Sequence, residues 1–75
     1  MENLDPKITE IVNFIFNKPE VVVKVLQENG YPIVMSTATL QEIEKLTFEA
    51  LDRKDEKFDM DLSKKMKLHK ALNLP

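Results

Sequence analysis

Apolar residues along this chain recur mostly at the three- and four-residue spacing of a helix face, in runs separated by clear punctuation. Between Asp5 and Asn17, Ile8, Ile11, Val12, Ile15 and Phe16 share one arc, with Thr9, Glu10, Asn13 and Asn17 opposite. Asp5 suits an N-cap, and Pro6 suits the first helical position, where a missing N–H costs nothing. The pattern predicts an amphipathic helix near 6–17. Phe14 falls off its stripe, beside the polar face.

The next stretch, Asn17 to Tyr31, is the most apolar and can be read in two ways. As a helix near 19–29, it starts at Asn17 and the Lys18-Pro19-Glu20 segment and stops at Asn29-Gly30. Its residues Val21, Val22, Val23, Val25 and Leu26 then span an arc of roughly 200°, more than one neighbour can cover. Such a helix belongs at the centre of a bundle, buried on two sides. The alternative is an α+β fold with a hairpin at 21–35, because Asn-Gly between apolar runs is a strong hairpin signal. Two features favour the helix. VVVKVLQE does not alternate, and Pro32 would stand in the returning strand, where only an edge tolerates it. Asn29-Gly30 serves equally as a helix stop, with Tyr31 folding back and Pro32 blocking continuation.

Ile33, Val34 and Met35 form an apolar connector expected to cross the core in extended form. Thr39-Leu40-Gln41-Glu42 is a capping box, and Leu40, Ile43, Leu46, Thr47, Ala50 and Leu51 make a stripe that predicts a helix at 40–54. Phe48 is the outlier there, as Phe14 is earlier. Residues 52–61 read as a charged break, after which Asp59 or Asp61 caps a last helix at 61–72. In that helix Leu62, Met66, His69 and Leu72 point one way and Lys64, Lys67 and Lys70 the other. The expected fold is all-α: a small three- to four-helix bundle, one domain over 1–75.

Size bears on how such a bundle is stabilised. A chain of 75 residues has a marginal core, burying only roughly 60–65% of the surface it exposes when unfolded. It contains no cysteine, so neither disulfides nor thiolate metal sites can help. Helix packing or association with another chain remains. The longest apolar runs, Val21–Val23 and Ile33–Met35, are three residues each, far below a membrane span. The acidic N-terminus does not resemble a signal peptide. The expected setting is cytoplasmic or within an assembled particle, not secreted.

Charge is uneven. Residues 1–61 hold seven basic side chains and all thirteen acidic ones, net −6, while residues 62–75 hold four lysines and no acid. This makes a basic C-terminal helix, 62–75, that seeks either an acidic partner or the chain's own acidic body.

Convergent chemistry is missing from the pattern. One histidine and no cysteine exclude Cys/His dyads, and one glycine excludes a phosphate-cradling loop. Asp59, Asp61 and Ser63 match the start of a calcium loop, but Lys64 stands where its glycine is needed and Lys70 where its bidentate glutamate is needed. The chain is expected not to be an enzyme and to carry no cofactor or metal. The expected function is a helical protein-interaction or assembly subunit, such as a structural component of a virion, binding another protein or further copies of itself. Phe14, Phe48 and Phe58 are the candidate anchors. The alternative is nucleic-acid binding through Lys64, Lys65, Lys67 and Lys70. The 39–53 helix itself is net −2, which would repel phosphates.

Overall fold

The structure, a computed structural model, describes residues 6–72. They form four helices and no strand: α1 (Pro6–Asn17), α2 (Pro19–Glu28), α3 (Leu40–Asp52) and α4 (Glu56–Leu72). The helical reading of the central stretch holds, and the hairpin is excluded because Val21–Leu26 lies within α2. The cap expected from Asp5 falls outside the described residues.

A single residue, Lys18, joins α1 to α2. Pro19 disfavours helical geometry in the residue before it, and Lys18 accordingly turns out at φ −136° and ψ 60°. Lys18, not Asn17, is therefore the N-cap of α2, and Asn17 is the last residue of α1. The α2 stop is a Schellman turn. Gly30 N–H donates to the Gln27 carbonyl and Tyr31 N–H to the Leu26 carbonyl, both at 3.0 Å, with Gly30 at φ +90°. The α3 start is a complete capping box. Thr39 Oγ1 accepts from Glu42 N–H and Glu42 Oε1 accepts from Thr39 N–H, each at 3.1 Å.

The last helix begins five residues earlier than 61. Helix α3 ends in a second Schellman turn, with Lys54 N–H on the Leu51 carbonyl at 3.0 Å and Asp55 N–H on that of Ala50 at 3.5 Å. Asp55 then caps α4, its carboxylate accepting from Phe58 N–H at 3.2 Å. The charged break is thus one turn, not ten residues. Its charges are solvated, and the capping geometry of Asp55 decides where the helix starts.

Helix α2 occupies the centre and packs against α1, α3 and α4. Val22, Val23, Val25 and Leu26 are all at most 2% exposed. The wide apolar arc therefore finds its second neighbour inside the chain. Ile11 and Ile15 of α1, Ile43 and Ala50 of α3, and Phe58 and Leu62 of α4 complete the core. Thr47 is also buried, and its hydroxyl donates back to the Ile43 carbonyl at 2.6 Å. From the connector only Ile33 is fully buried in the core, held by Gln27 Nε2 donating to its carbonyl at 2.8 Å, while Tyr31 and Ala38 at either end pack on it half-buried. Val34 and Met35 stay exposed, so the apolar run does not cross the core.

Candidate functional site: a cleft between α1 and α4

Five of the six helix pairs pack closely, while α1 and α4 touch only marginally. Between them lies a cleft of about 530 Å³. Its floor is apolar, formed by Ile11 and Phe14 of α1 and by Leu62 and Met66 of α4. Ile11 and Leu62 are core residues, while Phe14 and Met66 are half-buried against the core. The Phe14 ring meets His69 edge-on, with centroids 5.9 Å apart and planes at 62°.

Charged groups form the rim, and two ion pairs link the helices across it. Lys7 Nζ lies 2.9 Å from Asp59 Oδ1, and Lys70 Nζ lies 3.6 Å from Glu10 Oε2. All four side chains are largely in water, where such pairs contribute only about 0–1 kcal/mol each. They can therefore exchange partners at little cost. Lys18 and Lys67 complete the rim and have no carboxylate partner among the described residues.

The sequence-derived candidates scatter in an informative way. Phe14, Lys67 and Lys70 meet at this cleft. Phe48 is half-buried against the core and is not part of it. Phe58 is 0% exposed, sealed among the helices and edge-on to Tyr31 with centroids 6.3 Å apart. It is core and cannot anchor a partner from the surface. The reason is the early start of α4, which turns residue 58 inward on the same face as Leu62. The exposed phenyl is instead Phe16, at 59%, which the helical arc had placed with the core residues of α1.

Among the four lysines, Lys64 and Lys67 are exposed and Lys65 is half-buried. Lys70 partly bears out pairing with the acidic body, through Glu10. Sequence reasoning missed Lys7 and Lys18. Their signal was a second stripe on α1, in which Lys7, Glu10, Phe14 and Lys18 follow one another at helical spacing.

A separate polar cluster pins α2 to α4. Lys57 Nζ lies 2.9 Å from Asp61 Oδ2, and Asn29 Nδ2 donates to the same oxygen at 3.2 Å. The hydrogen bond from Lys57, then that from Asn29, holds the Asp61 carboxyl below its ordinary 3.8. The hydrogen bond to Asp61 in turn raises the Lys57 ammonium above its ordinary 10.5.

No protein-family model, curated protein or solved structure matches the chain. The physics of the cleft must therefore carry the functional argument alone. Among the described residues no cluster of three or more His, Asp or Glu could hold a metal ion, and no buried polar side-chain atom lacks a partner. No helix of the described residues is long and apolar enough to cross a membrane.

Proposed function

We propose that the chain is a non-catalytic protein-interaction module that seats a segment of another polypeptide in the α1/α4 cleft. The observation that supports this reading is an apolar floor left open between two helices, in a fold whose other helix pairs all close. Association energy concentrates where aromatic and apolar anchors enter such a recess and a polar rim excludes water. An assembly role in a larger particle such as a virion is one setting for this interaction. The case for self-association is weaker than the sequence implies, because α2 buries Val22, Val23, Val25 and Leu26 of its apolar arc within the chain and leaves only Val21 half-buried.

Nucleic-acid binding has less support. The four C-terminal lysines are distributed around α4, with Lys65 half-buried and Lys70 held near Glu10. A backbone-tracking surface needs them in one continuous stripe.

The test is selection of a displayed random-peptide library on the protein. The peptides recovered should lose binding to Phe14→Ser, with the variant's helical circular dichroism retained. Failure to select any peptide, or selection of peptides indifferent to the cleft, would refute the reading.

A further inference from the structure

We infer that the cleft's occupant is an amphipathic helix of another protein, with apolar residues on one face and acidic residues on both flanks. This rests on the docking reading above and adds the partner's chemistry. The first support is charge. Four lysines and two carboxylates line the cleft, a local surplus of two positive charges on a chain whose net charge is −2. An acidic segment is thus attracted here and repelled by the remaining surface, which steers encounter and sets orientation.

The second support is the arrangement of those lysines. Lys7 and Lys18 stand at the two ends of the α1 wall, and Lys67 and Lys70 stand on the α4 wall. Carboxylates on either flank of an inserted helix would each meet an ammonium. Lys18 and Lys67 have no acidic partner among the described residues, while the Lys7–Asp59 and Lys70–Glu10 pairs are exposed and yield readily.

The third support is length. The α4 wall runs from Asp59 to Lys70, about 16 Å at the helical rise, which matches three turns of a partner helix. Apolar side chains spaced three and four residues apart along those turns would lie over Phe14 and Met66. A second copy of this chain fits poorly. Its acidic helix α3 turns its apolar stripe inward, with Ile43 and Ala50 buried, and so offers no ridge.

The experiment uses fluorescently labelled synthetic helices of about four turns, with leucines on one face and flanks of either glutamate or lysine. Anisotropy titration against the full chain should show the glutamate peptide binding at least about tenfold more tightly than the lysine peptide. Lys18→Glu with Lys67→Glu should abolish that preference, since neither lysine belongs to an ion pair among the described residues. Equal binding of both peptides, or a preference that survives the double substitution, overturns the inference. Binding by neither peptide overturns it too, yet leaves the docking reading intact if library selection yields cleft-dependent peptides. Dimerisation of the chain that blocks the glutamate peptide also overturns it, by making a second copy the occupant.

Discussion

The two Schellman turns provide a controlled experiment on backbone strain, because one is built on glycine and the other on lysine. Gly30 at φ +90° and Lys54 at φ 58° both occupy the left-handed region that follows a helix. Only glycine enters it without a clash between Cβ and the following carbonyl, a clash worth roughly 1–2 kcal/mol for other residues. Lys54→Gly should remove that strain. It also loosens the unfolded chain, which costs about 0.4–1 kcal/mol. The Lys54 side chain is exposed and enters no ion pair or side-chain hydrogen bond among the described residues, so its removal subtracts nothing else. The net gain is on the order of 0.5–1 kcal/mol. For a chain this short it should raise the melting temperature by about 2–8 °C. Gly30→Ala is the mirror test. A Cβ there meets nothing within 4 Å, so any loss is backbone strain alone, at least about 1 kcal/mol. Thermal melts by circular dichroism read both. A Lys54→Gly variant that melts at or below the parent temperature would refute the reasoning, as would a neutral Gly30→Ala.

Three further predictions address the core, the capping box and the electrostatics. Phe58→Ala empties a fully buried site and should cost about 3–5 kcal/mol. The whole stability of a chain of this length is on the order of 4–11 kcal/mol, so that loss removes a large part of it and urea titration should show a fold close to collapse; full retention of stability would return Phe58 to the surface. Thr39→Ala removes the hydroxyl arm of the capping box while leaving the backbone N–H arm to Glu42, and should lower stability by about 1 kcal/mol, read as a shift in urea midpoint; no shift would mean the hydroxyl arm is decorative. The depressed Asp61 carboxyl contributes stability that is fully present above its ordinary 3.8 and lost as pH falls through its lower folded value. Asp61→Asn should therefore lower the urea midpoint at pH 7, and the gap should narrow as pH falls below 3.8; a gap that does not narrow in acid would show that the carboxylate's charge is not what matters.

Much of the secondary structure was written in short stretches of chain. Pro6 and Pro19 set helix starts, Gly30 set a stop, and Thr39 with Glu42 declared the third helix, because each signal acts on backbone groups within four residues of itself. The breadth of the α2 arc likewise announced a central helix before any neighbour was known. Asp55 was legible in principle, since its cap lies three residues from Phe58, but seven other charged residues in the 52–61 stretch masked a single turn as a long break. Which half-apolar positions become core was not local at all. Phe14 and Phe16 sit two residues apart on one helix, yet the first is half-covered against the core and His69 and the second is bare. Burial depends on what arrives from elsewhere in the chain, and no residue encodes that alone. The cleft has the same origin. It exists because α2 engages all three other helices closely and leaves α1 and α4 only marginally in touch, a decision made by packing among four helices and by none of them singly.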